Sequence, residues 1–126
     1  MILLRSLLHG VLSGIAVFPF ATVLILVSPL PHRYPYAVAR GWVRLCLWLL
    51  DKICGLRYEV SGSENLPDEP CVVYLRHSSV WETLAELEVF PPQTWVLKRE
   101  LKWIPVFGWA LTALRPIAID RRARGT

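Results

Sequence analysis

A run of 26 residues, from Ser6 to Pro31, contains no lysine, arginine, aspartate or glutamate. As a helix it would be about 39 Å long, whereas the hydrocarbon core of a bilayer needs about 20 apolar residues to cross roughly 30 Å. The run therefore predicts a membrane-spanning helix over about residues 8–30, with a kink at Pro19. A cleaved signal peptide is the alternative, but the run is long for one and no small-residue cleavage site follows it.

The overall composition also favours a membrane protein. Hydrophobic residues make up 54% of the 126 residues and charged residues only 19%, whereas about a quarter of an ordinary soluble domain is charged. Six tryptophans add to this bias, because tryptophan is enriched where an apolar region meets water. The length allows one small domain beside the helix.

A second helix is predicted over about residues 36–54, after a proline-rich break. On a helical wheel, Arg40, Arg44 and Asp51 fall within about 40° of one another. The opposite side is apolar and carries Val38, Trp42, Leu45, Leu49 and Ile53. A wide apolar face with a narrow charged stripe is typical of a helix lying in the membrane surface. A second spanning helix is the alternative, at a higher cost unless the charges face protein. Residues 1–55 are thus predicted to be a membrane anchor.

The charges around the first helix predict its orientation. Arg33, Arg40 and Arg44 follow it and only Arg5 precedes it, so the positive-inside rule puts the rest of the chain on the cytoplasmic side. The cysteines have no metal-binding spacing and are expected to be reduced thiols: Cys46, Cys54 and Cys71.

Beyond Gly55 short strands alternate with helices. Apolar runs predict strands at Cys71–Leu75, Thr94–Leu97 and Ile117–Ile119, the first of them buried. Helices are predicted at Ser79–Phe90 and at Leu101–Leu114, the latter apolar nearly all round and therefore buried or in contact with lipid. This alternation indicates an α/β domain with a mixed or parallel sheet over residues 56–126.

Basic residues are concentrated near the end of the chain. From Lys98 to Thr126 there are seven basic and two acidic residues, whereas residues 1–97 carry seven basic and eight acidic residues. Such a region attracts phosphate groups. No nucleic-acid-binding motif accompanies it, so the expected partner is an anionic lipid or a phosphorylated substrate rather than nucleic acid.

His77 and Glu82 form a candidate catalytic pair. His77 follows a predicted strand and Glu82 lies about one turn into the next helix, so the two side chains could meet. A carboxylate bonded to one imidazole nitrogen fixes the tautomer, and the other nitrogen can then take a proton from an alcohol. A histidine that merely bonds a loop is the structural alternative. A metal site has no third ligand nearby.

Four segments together resemble the 1-acylglycerol-3-phosphate acyltransferase family, over roughly residues 56–122. Arg76–Thr83 resembles its H-x-x-x-x-D/E block, here H-x-x-x-x-E. Val96–Trp109 resembles the K-x-E-L-x-x-I-P-x-x-G segment, and Arg115–Arg121 resembles the strand that ends in I-D-R. Gly62–Pro67 matches the G-x-E-N-L-P approach to the first block.

This resemblance implies roles for four residues. His77 would be the general base and Glu82 its orienting carboxylate. Arg121 would bind the phosphate of the acceptor, with Lys98 as a weaker candidate for the same site. For Arg121 a solvated basic cluster is the alternative, and for Lys98 and the nearby Glu100 a structural role at a strand end or helix start is favoured.

The implied reaction is transfer of a fatty acyl group from acyl carrier protein or coenzyme A to the hydroxyl of 1-acylglycerol-3-phosphate, which makes phosphatidate. No metal or bound cofactor is implied, because the thioester donor is already activated. The expected location is the bacterial inner membrane, and membrane lipids are expected partners. Glu82 stands where many members have aspartate, which leaves acylation of another lysophospholipid or of a glycolipid, such as a lipid A precursor, as the alternative.

The family's F-P-E-G-T-R block, which normally follows I-D-R, is not found in these residues. The chain is therefore expected to be a fragment of a longer enzyme. A non-catalytic, truncated membrane module is the alternative from a different functional class.

Overall fold

The computed structural model describes residues 1–76 and 78–120. Its helices and strands follow the chain in this order: α1 (Ile2–Leu26), α2 (Arg33–Leu49), α3 (Val80–Val89), β1 (Val96–Lys98), α4 (Phe107–Ala113) and β2 (Ile117–Ile119). A π-helical turn, Leu50–Cys54, continues α2, and shorter 3-10 turns occupy Ser63–Asn65 and Arg99–Trp103.

Helices α1 and α2 form an antiparallel hairpin. His9, early in α1, lies with its Nε2 atom 3.1 Å from the carbonyl oxygen of Cys46, late in α2. Farther along α1, Phe20 faces Gly41. Helix α1 begins six residues earlier than the predicted span of 8–30 and ends at Leu26. Among the described residues it is the helix that is long and apolar enough to cross a membrane.

The charged residues predicted on one side of α2 form ion pairs with other parts of the protein. Arg40 and Arg44 both bond to Glu88 of α3, and Asp51 pairs with Arg57 at 2.7 Å. The location of α2 in the membrane surface stays a prediction, and both arginines of its charged stripe pair with an acidic residue. Ion pairing with a neighbouring helix lowers the cost of placing them beside an apolar face.

One hydrophobic core joins the hairpin to the rest of the chain. It includes Leu24 of α1, Val43 of α2 and Leu87 of α3, all buried. The other buried members are Ala39, Leu47, Ala113 and Leu114. The packing thus crosses the predicted boundary at residue 55, so burial of apolar surface holds the hairpin against the helices that follow it.

The strands β1 and β2 pair in parallel, with Val96 opposite Ile117 and Lys98 opposite Ile119. This confirms the strand at Ile117–Ile119 and moves the predicted strand Thr94–Leu97 by one to two residues. The prediction of a buried strand at Cys71–Leu75 was wrong. That segment pairs with no strand in the described parts of the chain, and Val72 and Tyr74 are 80% and 94% exposed.

The predicted helix Leu101–Leu114 is divided. Arg99–Trp103 forms a 3-10 turn, and α4 starts only at Phe107. Between them, Pro105 removes a backbone donor, and Val106 adopts φ 65° and ψ −60° in a γ-turn, closed by a 2.7 Å hydrogen bond from the Phe107 N–H to the Pro105 carbonyl. The break therefore reflects local backbone chemistry, which the apolar pattern does not reveal.

Candidate functional site

Glu82 lies in the first turn of α3, and its carboxylate is held by the backbone that precedes this helix. Its Oε2 atom accepts hydrogen bonds from the backbone N–H groups of Ser78 and Ser79, the latter at 3.1 Å. Ser79 is the N-cap residue, and together with Glu82 it forms a capping box. The partial positive charge at the start of a helix favours an ionised carboxylate at this position.

The capping box bonds Glu82 to the residue that follows the predicted base in the sequence. Ser78, whose backbone N–H bonds to Glu82, directly follows His77 in the sequence. His77 itself lies outside the described residues, so the contact between its imidazole and Glu82 stays a prediction. What is established is that the carboxylate turns back towards the start of α3 instead of projecting away from it.

Lys98 lies at the carboxyl end of β1. It pairs in register with Ile119, the last residue of β2, and because the strands are parallel their carboxyl ends share one edge. Lys98 is exposed there and directly precedes the 3-10 turn that contains Glu100, so both residues lie at the predicted strand end and helix start, and their roles stay predictions. Arg121 follows β2 by two residues in the sequence but lies outside the described residues, so its role also stays a prediction.

An apolar cavity of about 440 Å³ lies beside the start of α3. Val80 and Thr83, which share the start of α3 with Glu82, are among its lining residues. All four helices and β1 contribute to its wall, with Phe20, Trp42, Leu84, Leu97, Ala110 and Leu114 among the lining residues. A volume of this size and apolar character suits a hydrocarbon chain.

Glu88 lies in the last turn of α3, and its carboxylate contacts two arginines of α2. Its carboxylate lies 3.0 Å from Nε of Arg40 and 2.9 Å from Nε of Arg44. Arg40 also donates to the backbone carbonyl oxygen of Glu88 at 3.2 Å, and so bonds to the last turn of α3. The hydrogen bond from Arg44 and the charge of both arginines hold the pKa of Glu88 below its ordinary value.

Neither the cavity nor the role of Glu88 is predicted by the sequence patterns. The charged stripe of α2 was a signal that an acidic partner exists, but only the packing of α3 identifies it. The nearly all-apolar surface of residues 101–114 indicated that this segment contacts other apolar groups, but only the packing shows that part of it lines a cavity.

Comparison with known proteins gives a consistent result. The model of the family described as Acyltransferase matches residues 57–126. The 1-acyl-sn-glycerol-3-phosphate acyltransferase of Pseudomonas aeruginosa is 44% identical over 120 residues, which cover 94% of this chain and 47% of that protein. Lysocardiolipin acyltransferase 1 of Danio rerio is 30% identical over 128 residues, 94% of this chain and 33% of that protein.

A third relative is the 1-acyl-sn-glycerol-3-phosphate acyltransferase of Saccharomyces cerevisiae, 28% identical over 105 residues, which cover 82% of this chain and 33% of that protein. The chain thus spans less than half of the length of each of these relatives. No solved structure matches it. Because the family model covers more than half of the residues, including Glu82 and the I-D-R segment, this chain belongs to the Acyltransferase family.

Proposed function

We propose that the protein to which this chain belongs transfers a fatty acyl group from a thioester donor to the free hydroxyl of 1-acylglycerol-3-phosphate, and so makes phosphatidate. The observation that carries the proposal is the 44% identity, along 94% of this chain, to the 1-acyl-sn-glycerol-3-phosphate acyltransferase of Pseudomonas aeruginosa. The apolar cavity beside the start of α3 supports a fatty acyl group as the transferred unit.

In the proposed reaction His77 takes the proton from the acceptor hydroxyl while the hydroxyl oxygen attacks the thioester carbonyl carbon. Glu82 holds the imidazole in the correct tautomer and stabilises the imidazolium that forms. Collapse of the tetrahedral intermediate breaks the carbon–sulfur bond, and the proton passes from His77 to the departing thiolate. The products are the new ester and the free thiol of acyl carrier protein or coenzyme A.

The acceptor's phosphate calls for a cationic site. Lys98 is exposed at the edge where β1 and β2 end, and Arg121 follows β2 in the sequence. We assign the phosphate to Arg121, because a guanidinium can bond phosphate through two parallel N–H groups, with Lys98 as a secondary contact. In this arrangement α1 anchors the enzyme in the inner membrane of a bacterium, with the site on the cytoplasmic side.

The test uses the complete protein, purified in detergent, with lysophosphatidate and either acyl donor. His77→Ala should lower turnover by about 10²- to 10⁴-fold, the range expected for a lost general base. His32→Gln, in the loop before α2, is the matched control and should retain turnover. Unchanged turnover of the His77 variant would rule out the proposed base.

Acylation of another lysolipid is the second candidate, supported by the 30% identity to a lysocardiolipin acyltransferase. A panel of acceptors separates the two functions. Preference for lysophosphatidate over lysocardiolipin and over glycolipid acceptors supports the first, and the reverse order supports the second. Absence of turnover with every acceptor and both donors would favour a non-catalytic membrane module.

A further inference from the structure

Two tryptophans in the segment that connects β1 to β2 are exposed on the surface. Trp103 is 80% exposed and Trp109 is 59% exposed, and Ile104 and Phe107 between them are also exposed. We call residues 99–109 the tryptophan turn. Burying two indole rings would remove a large apolar surface from water. An exposed pair on one short segment therefore indicates an interaction surface.

The backbone of the tryptophan turn is tightly closed. The Gly108 N–H donates to the Ile104 carbonyl oxygen at 2.7 Å, and a β-carbon at Gly108 would lie 2.4 Å from the carbonyl oxygen of Lys102. Lys102, which precedes Trp103, is therefore packed against Gly108, which precedes Trp109. The two rings project from a fixed backbone, which lowers the entropy cost of binding through them.

The tryptophan turn lies beside the end of the candidate membrane helix. Trp109 and Arg115 share an open cleft of about 240 Å³ with Ile25 and Ser28, at the end of α1. Leu26, the last residue of α1, is 72% exposed. The exposed apolar end of α1 and the exposed indole of Trp109 on α4 therefore lie close together.

Basic residues accompany these tryptophans in the sequence. Between residues 98 and 115 there is one acidic residue, Glu100. The four basic residues of the same stretch are Lys98, Arg99, Lys102 and Arg115. Tryptophan beside lysine and arginine is a combination that binds the headgroup region of an anionic bilayer.

We propose that the tryptophan turn docks on the surface of an anionic bilayer, as a second membrane contact beside α1. Trp103 and Trp109 enter the headgroup region, and Arg99 and Lys102 lie against lipid phosphates. This contact holds the edge at which β1 ends close to the bilayer, where a lysolipid acceptor resides. The inference rests on the proposed function only in placing α1 in a membrane, and it does not depend on which acyl transfer is catalysed.

The experiment uses the complete protein reconstituted into vesicles that contain lipids with brominated acyl chains, which quench tryptophan fluorescence on contact. Wild type, Trp103→Phe and Trp109→Phe are compared, with and without phosphatidylglycerol. Each substitution removes one tryptophan that contacts the lipid, so it should reduce that loss, the amount of tryptophan fluorescence that the brominated lipid quenches. Trp81→Phe is the matched control, because the Trp81 ring packs against the hydrophobic core and the edge of Tyr58, and it should leave that loss unchanged.

A second arm tests the charges. Arg99→Gln together with Lys102→Gln should weaken docking about fivefold for each charge removed in phosphatidylglycerol vesicles, and should have no effect in phosphatidylcholine vesicles. Equal weakening in both lipids would overturn the anionic part of the proposal.

Unchanged quenching in both tryptophan variants would overturn the docking proposal as a whole. Iodide, a quencher dissolved in water, then identifies the true surroundings: access to Trp103 means that the turn faces water, and no access means that protein covers it. Turnover measured in detergent is a separate readout, so failure of membrane docking is distinguishable from failure of the proposed acyl transfer.

Discussion

Arg44 holds the carboxylate of Glu88 by two parallel hydrogen bonds, from Nε to Oε2 and from Nη2 to Oε1, both 2.9 Å long. Arg40 approaches the same carboxylate from the preceding turn of α2. Glu88 lies six residues after Glu82 on α3. The ion cluster therefore ties the hairpin to the short helix that begins at the candidate catalytic block.

Glu88→Gln should destabilise the protein by about 1 kcal/mol, because it leaves two arginines facing a neutral amide at a partly exposed site. The melting temperature should fall by a few degrees. Glu59→Gln, at an exposed position before α3, is the control. Equal melting temperatures for wild type and Glu88→Gln, measured in the same detergent, would show that the cluster contributes nothing to stability.

The same cluster predicts a dependence on pH. The Arg44 hydrogen bond lowers the pKa of Glu88 from its ordinary value of 4.5, so the folded state binds a proton less readily than the unfolded state. The stabilisation is present above pH 4.5 and is lost as the pH falls through the lower, folded-state pKa. Melting temperatures measured from pH 7 downwards should therefore converge for wild type and Glu88→Gln in acid. Curves that stay parallel would contradict this origin.

Gly108→Ala should be strongly destabilising, by about 3 kcal/mol. The added methyl group would lie 2.4 Å from a backbone oxygen of Lys102, and a backbone atom cannot move aside as a side chain can. Gly10→Ala is the matched control, because nothing lies within 4 Å of a β-carbon there, and it should stabilise its helix slightly. Thermal unfolding of both variants measures the difference, and similar melting temperatures would mean that the turn repacks.

Glu82→Gln separates the two roles of this residue. Glutamine also completes a capping box, so the melting temperature should change little, whereas loss of the carboxylate should lower kcat by about 10²- to 10⁴-fold. Ser79→Ala should do the opposite and cost about 1 kcal/mol of stability with little change in kcat. Full turnover of Glu82→Gln would show that the carboxylate is only a cap.

Ala110→Leu should shorten the preferred acyl chain. Ala110 lines the apolar cavity, and three added carbon atoms occupy space that the end of a long chain would need. Each methylene group that the cavity no longer buries costs about 0.8 kcal/mol. The measurement is the ratio of kcat/KM for a long-chain and a short-chain donor, with Ala37→Leu on the exposed surface of α2 as the control. An unchanged ratio would indicate that the acyl chain binds elsewhere.

Much of the local structure could be predicted from sequence, because it depends on neighbours along the chain. The charge-free run predicted α1, and the apolar run at Ile117–Ile119 predicted β2. The pattern failed at Cys71–Leu75, since a strand exists only where another strand pairs with it. It also failed to divide Leu101–Leu114, because hydrophobicity does not report the γ-turn at Val106.

The sequence by itself determined the family and the candidate residues His77, Glu82, Lys98 and Arg121, since residue types and their spacing carry that information. Tertiary structure alone decided which groups face one another across long stretches of chain. Glu88 lies 48 residues from Arg40, and the cavity is formed by four helices and a strand. Such contacts depend on how helices pack, and no periodicity within one helix specifies its partner.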